Sequence, residues 1–255
     1  MKVNGKVCVV TGAAGGIGEA IARRYAAEGA KGVVVADRSS DNLQRVAKEI
    51  GGLAFPCDVA VEGDIKKLVS EAERAYGPVD VFFSNAGIAR AGHEAASDKD
   101  WADSWAIHVM SHVYAARALV PGMLARKSGY LLNTASAAGL LASMGSAPYG
   151  VTKHAAVALA EHLSIQYGDK GIRVSCLCPQ AVDTNMYRGT GTSAAGIDGI
   201  MKPADVADAV IKAMDAERFL ILSHPVVHEY MQRKTADTDR WLGGMRRLRE
   251  KTVKK

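Results

Sequence analysis

The sequence predicts an α/β protein, a parallel sheet covered by helices, and three observations predict it. Apolar β-rich runs alternate with longer amphipathic stretches as far as about residue 220, the pattern of repeated βα units. Several of the short runs are apolar throughout, as strands buried on both faces must be. The 255 residues, 48% hydrophobic and 23% charged, suit one domain with a sizeable core.

The elements follow in order. Strands are expected at Val7 to Thr11, Gly32 to Ala36, Leu53 to Phe55, Val79 to Ser84, Gly129 to Ala135, Ile172 to Cys178 and Phe219 to Leu222. Helical patterns lie between them, at Gly16 to Glu28, Asp41 to Ile50, Gly63 to Tyr76, Lys99 to Ala125, Pro148 to Tyr167 and Ala204 to Asp215. The fifth carries Ala and Leu on most faces, so it is either deeply buried or an interface helix. Residues 185–200 are rich in Gly, Thr, Ser and Ala and are expected to be a mobile loop beside the substrate. Residues 225–255 form a helical basic extension to a single domain spanning 1–255.

Composition excludes disorder, collagen-like structure and a disulfide framework; Cys8, Cys57, Cys176 and Cys178 are expected to be reduced thiols. No targeting segment or membrane-length apolar run is present, so a cytoplasmic protein is expected. The net charge of +5 sits in the tail, where seven basic residues and one acid follow from Arg240 onward. A basic tail alone is a weak sign of nucleic-acid binding, against a solvated helix end or a clamp on a neighbouring subunit.

Chemistry concentrates at the carboxyl ends of the strands. The first strand runs into Thr11-Gly12-Ala13-Ala14-Gly15-Gly16-Ile17-Gly18 and then a helix, where glycines admit a pyrophosphate close to the backbone and the helix start offers free N–H groups. The spacing departs from the common G-x-G-x-x-G, so its context carries the reading. Asp37, at the end of the second strand, can accept hydrogen bonds from both ribose hydroxyls of an adenosine, or cap the next helix. A carboxylate there repels a 2′-phosphate and favours NAD over NADP, although Arg38 beside it offsets part of that repulsion. Cys57, Asp58 and Val59 follow the third strand and Asn85-Ala86-Gly87 the fourth, outlining one cleft.

Tyr149 and Lys153 stand four apart near the start of a helix that Ser146 can cap and Pro148 can help begin, so both side chains share a face. A free tyrosine is a poor proton carrier at neutral pH, and a nearby ammonium lowers its pKa. Ser136, thirteen residues upstream of Tyr149, can share a substrate oxygen with the phenol. No His, Asp or Glu cluster has metal-ligand spacing.

From Lys6 to about Asp215 the sequence resembles the short-chain dehydrogenase/reductase family, on Thr11-Gly12-x-x-x-Gly16-x-Gly18, Asp58, Asn85-Ala86-Gly87, Ser136 and Tyr149-x-x-x-Lys153 in that order. The resemblance implies a doubly wound Rossmann-type domain with a seven-stranded parallel sheet. It also implies hydride transfer between a nicotinamide dinucleotide and a carbonyl carbon. By the same carry-over Tyr149 is the acid/base, Ser136 orients the substrate oxygen, and Lys153 binds the nicotinamide ribose and tunes Tyr149. Thr11 to Gly18 hold the pyrophosphate, Asp37 the adenosine ribose, Asp58 with Cys57 and Val59 the adenine, and Pro179, Val182 and Thr184 the nicotinamide end.

Three departures accompany the resemblance. His108 stands where relatives carry an asparagine; it can relay protons or be held by the backbone. Gln180 replaces the glycine of a Pro-Gly pair. Phe219 to Pro225, followed by a helix bearing Trp241, Met245 and Leu248, replaces the usual glycine-rich closing strand, which weakens the case for a standard tetramer. The expectation is an oxidoreductase acting on a secondary alcohol or its ketone, with an apolar or ring-bearing substrate, as a homodimer or homotetramer. The alternative is a catalytically weak NAD-binding regulatory or scaffolding protein.

Overall fold

The computed structural model describes residues 1–38, 41–189 and 194–252. Strand β1 (Val7–Thr11) is buried at every position, as a sheet centre covered on both faces requires. It passes through the glycine turn into α1 (Gly16–Ala27) and then β2 (Gly32–Asp37), α2 (Asp41–Ile50), β3 (Leu53–Pro56), α3 (Glu62–Tyr76) and β4 (Val81–Ser84). The second half runs through α4 (Asp98–Trp105), a π turn (Ala106–Met110), α5 (Ser111–Ala125), β5 (Gly129–Thr134), α6 (Ala147–Tyr167), β6 (Ile172–Leu177), α7 (Asn185–Gly189), α8 (Pro203–Asp215) and β7 (Leu220–Ile221). Two further helices, α9 (Val226–Ala236) and α10 (Thr238–Thr252), close the chain.

All strand pairs are parallel and the order is β3-β2-β1-β4-β5-β6-β7. This is the expected doubly wound seven-stranded sheet. The order in which strands are added reverses between β1 and β4, so a crevice opens at the carboxyl ends of those strands. Two apolar layers fill the space between sheet and helices, one around Phe82, Leu131 and Ala156, the other around Val10, Ile21 and Phe83. The four cysteines are unpaired thiols within these layers.

The single helix expected from Lys99 to Ala125 is instead interrupted by the π turn at Ala106–Met110. One residue is inserted into the helical ladder there, and it turns the buried His108 toward the β4 loop. Helix α6 buries Ala156, Val157 and Ala160 against the sheet and exposes Val151 and Ile165 on the other side. Residues 190–193 of the expected mobile loop lie outside the described residues; the rest holds α7 and a short turn at Ala194–Gly196. Among the described residues no helix is long and apolar enough to cross a membrane.

Candidate active site

The crevice continues into a cavity of about 2260 Å³ that runs from the start of α1 to the C-terminal helices. Its floor at one end is the glycine turn. Gly12 and Gly16 adopt positive φ, and a Cβ on either would strike Ala86 or Thr184 at 2.8 and 2.9 Å. A Cβ on Gly15 would meet nothing, so that backbone is bare toward the cavity. Helix α1 starts with no side-chain cap, and its first N–H groups open onto the same space. An uncapped twelve-residue helix behind an uncovered glycine fits the pyrophosphate of a dinucleotide.

Thr11 works behind this floor. Its hydroxyl donates to the Phe83 carbonyl and accepts the N–H groups of Asn85 and Ala86, at 3.3, 2.9 and 3.2 Å. Asn85 in turn donates to the Thr11 carbonyl at 3.1 Å and accepts from Thr134 Oγ1 at 3.2 Å. Together they lock β1, β4 and β5. Gly18 is likewise structural, since a Cβ there would lie 2.2 Å from the Gly12 carbonyl oxygen.

Of the residues expected at the cofactor, Gly12, Ala14, Gly15, Gly16, Ile17, Asp37, Asn85, Ala86, Gly87, Pro179, Val182 and Thr184 line the cavity. Asp37 Oδ2 accepts the Ala14 N–H at 3.1 Å, which joins the end of β2 to the glycine turn. Thr11, Gly18, Arg38, Cys57, Asp58 and Val59 do not reach the cavity wall. Cys57 and Val59 are buried inward, and the Asp58 carboxylate is engaged by the Ala60 N–H at 3.0 Å. Arg23 and Arg45 do line it, yet on the sequence they were indistinguishable from ordinary solvated helix charges; both are paired with Glu19 and Glu49.

The reacting groups share the far wall. Ser146 caps α6 by accepting the Tyr149 N–H at 3.1 Å and donates to the Arg90 carbonyl, so the helix start is stitched to the β4 loop. That cap places Tyr149 in the first turn with Lys153 one turn later, and Ser136, Tyr149 and Lys153 all line the cavity. Ser136 Oγ accepts the Ala138 N–H at 3.1 Å and donates weakly to the Pro179 carbonyl at 3.4 Å. Lys153 is buried, donates to the Thr134 carbonyl at 2.9 Å, and sits 5.7 Å from the Tyr149 ring centre. Burial pushes the lysine down to about 8.

Burial raises the Tyr149 phenol above its ordinary value, and a hydrogen bond with Ser136 opposes it only in part. The Lys153 ammonium is turned onto the Thr134 carbonyl and is itself desolvated. His108 is held on both ring nitrogens. Its Nε2 accepts the Ile88 N–H at 3.0 Å and its Nδ1 meets Thr152 Oγ1 at 2.8 Å, so the ring is held by backbone and hydroxyl. The ring packs edge-on against Tyr149 with centroids 5.5 Å apart. Burial, reinforced by Lys153, drives its pKa down to about 2.

Two elements exceed what the sequence foretold. Gln180 donates to Asp198 Oδ2 at 3.0 Å, so the residue that replaces glycine serves as a tie to the loop opposite. The C-terminal helices, expected as a basic extension, form the outer wall of the cavity through Tyr230, Trp241, Met245 and Leu248. The recurrence of Trp241, Met245 and Leu248 four and then three residues apart was the signal. Leu141, Met144, Met186 and Tyr187 also line the cavity, while Leu140 packs on the core and His93 stays outside.

Comparison with known proteins bears on the family and the fold. A family model described as short chain dehydrogenase matches residues 6–194. Borneol dehydrogenase, mitochondrial, from Lavandula x intermedia is 33% identical over 236 residues, covering 88% of each chain. Meso-2,3-butanediol dehydrogenase from Serratia marcescens is 36% identical over 194 residues, 74% of this chain and 76% of the relative. Among solved structures, a short chain dehydrogenase/reductase from Burkholderia phymatum in complex with NAD superposes with a TM-score of 0.86 at 28% identity, covering 94% of this chain and 96% of that one. L-sorbose reductase from Gluconobacter frateurii, complexed with NADPH and L-sorbose, gives 0.78 at 27% identity, covering 87% and 97%.

Proposed function

The chain belongs to the short-chain dehydrogenase family, and from that premise we propose that it is an NAD-linked oxidoreductase interconverting a secondary alcohol and its ketone. One observation carries the reading: Ser136, Tyr149 and Lys153 converge on the cavity that the uncapped start of α1 also faces. The glycine turn and α1 would hold the pyrophosphate, Asp37 the adenosine ribose, and Pro179, Val182 and Thr184 the nicotinamide end. When bound, the nicotinamide would accept or supply the hydride.

The chain's own residues would manage the proton. Ser136 donates to the substrate oxygen and sets its distance from Tyr149. In the reductive direction the Tyr149 phenol gives its proton to the carbonyl oxygen as hydride reaches the carbon; in the oxidative direction the phenolate takes the hydroxyl proton as hydride leaves. A phenol raised by burial rests in its protonated form, which suits it to reduction at neutral pH and makes oxidation gain as pH rises. Lys153 supplies positive charge beside the developing phenolate. Apolar lining from Leu141, Met144 and Met186 supports an apolar or ring-bearing substrate.

A panel of secondary alcohols with NAD, and of their ketones with NADH, followed by the absorbance of the reduced cofactor, tests the proposal. Saturable turnover of at least one chemical class is expected. Cofactor binding without turnover across the whole panel would point to a regulatory or scaffolding protein instead.

A further inference from the structure

Helix α9 is fastened to the catalytic loops rather than trailing from them. Lys234 Nζ donates to the carbonyls of Leu140 and Leu141, both at 2.8 Å, in the loop that begins at Ser136. Tyr230 donates to Asp198 Oδ1 at 2.9 Å, and Gln180 holds the other oxygen of the same carboxylate. The Tyr230 and Trp241 rings, 6.4 Å apart, carry the hold on into α10. Three anchors on two loops give α10 a defined face toward the cavity.

That face has a chemistry of its own. Arg240, Trp241, Gly244, Met245, Arg247 and Leu248 line the cavity, while Leu242 and Arg246 do not. Arg240 and Arg247 lie two turns apart on one side of the helix. Among the described residues neither guanidinium has an acidic partner, and α10 places no acid on this face. Asp237, just before the helix, also lines the cavity and accepts the Arg240 backbone N–H at 2.9 Å. Apolar surface flanked by two unpaired guanidiniums matches an apolar body that ends in an acid group.

We propose that the α9–α10 wall is the recognition half of the substrate site, and that it selects an apolar hydroxy or keto acid whose carboxylate meets Arg240 and Arg247. This rests on the oxidoreductase reading of the same cavity. The body of the substrate lies against Trp241, Met245 and Met186, and the reacting carbon is delivered to Ser136 and Tyr149 at the opposite wall. A dinucleotide pyrophosphate is the other anion these arginines could meet, so the test separates the two.

The experiment compares matched ketones, 4-oxocyclohexanecarboxylate and 4-oxo-4-phenylbutanoate, each with its primary amide. Turnover with NADH and calorimetric binding with NAD present are measured for the wild type, Arg240→Gln/Arg247→Gln and Arg246→Gln. The wild type is expected to prefer the acids by about tenfold or more. The double variant loses that preference through a higher KM for the acids, with the amides and the NAD dissociation constant unchanged, and Arg246→Gln keeps it. Absence of an acid preference in the wild type, its survival in the double variant, or weakened NAD binding in its place overturns the proposal. Preferential binding of acids with no turnover supports the recognition wall and counts against the oxidoreductase reading alone.

Discussion

The His108 imidazole donates its Nδ1 proton to the Thr152 hydroxyl at 2.8 Å, and this one bond fixes the tautomer. Thr152 has a single proton and directs it to the Pro148 carbonyl at 2.7 Å, so its oxygen must accept from the histidine. Nε2 is then bare and accepts the Ile88 N–H. A neutral ring thus joins the π turn, the β4 loop and α6 immediately behind Tyr149.

From this tautomer follows an acid-sensitive fold. His108 titrates near 2 and His112 near 3 in the native state, both held down by burial first, whereas the unfolded chain takes up these protons near 6.5. The unfolded state binds more protons below that value, so stability is complete above about pH 6.5 and falls as pH drops toward 3. Urea unfolding of His108→Asn should show a slope between pH 6.5 and 5 shallower by about 1 kcal/mol per pH unit than the wild type. Identical slopes would mean the ring is not buried neutral.

Lys153 should trade stability for activity. Its native pKa of about 8 lies below the ordinary 10.5, so the charged lysine destabilises the fold at neutral pH and that cost fades as pH rises from 8 to 10.5. Lys153→Met is expected to abolish turnover yet unfold at equal or higher temperature at pH 7, by an equivalent of roughly 1 to 3 kcal/mol. The advantage should shrink at pH 10. A variant markedly less stable at pH 7 would contradict the buried-charge reading.

Two glycines in one turn should separate binding from folding. Gly15→Ala meets no atom and keeps extended backbone, so stability should stay within about 0.5 kcal/mol while NAD affinity falls about tenfold or more. Gly18→Ala drives a Cβ into the Gly12 carbonyl and should cost on the order of 1 to 3 kcal/mol or more in thermal unfolding. Equal effects of the two on affinity and stability would dissolve the distinction.

Cofactor choice should rest on Asp37. Its carboxylate lies on the cavity wall and holds the Ala14 N–H, so Asp37→Ala removes both a ribose acceptor and the repulsion of a 2′-phosphate. The ratio of NADP to NAD dissociation constants is expected to fall about tenfold or more. An unchanged ratio would place the selectivity elsewhere, with Arg23 and Arg45 among the cations on the same wall.

Strand positions were legible because both sheet faces are covered, which leaves runs such as Gly32 to Ala36 with no polar residue to mislead. Helix α6 was legible from Ser146 and Pro148, a cap and a preset φ that act locally. The π turn was not, because one inserted residue leaves no periodicity to read and is stabilised by tertiary bonds from His108. Asp58 was legible as the residue that follows the third strand, and the local turn in which its Oδ1 accepts the Ala60 N–H was not. The tail misled because its charges outnumber its apolar stripe in sequence, and only folding separates the two faces.

Replacing Tyr149 with phenylalanine tests the central claim most directly, because it deletes one oxygen from the cavity wall and leaves the ring against His108. On the first alcohol or ketone found to be a substrate, kcat should drop by about 10² to 10⁴ fold while NAD binding stays within a few-fold. Turnover by the phenylalanine variant at the wild-type rate would contradict the account.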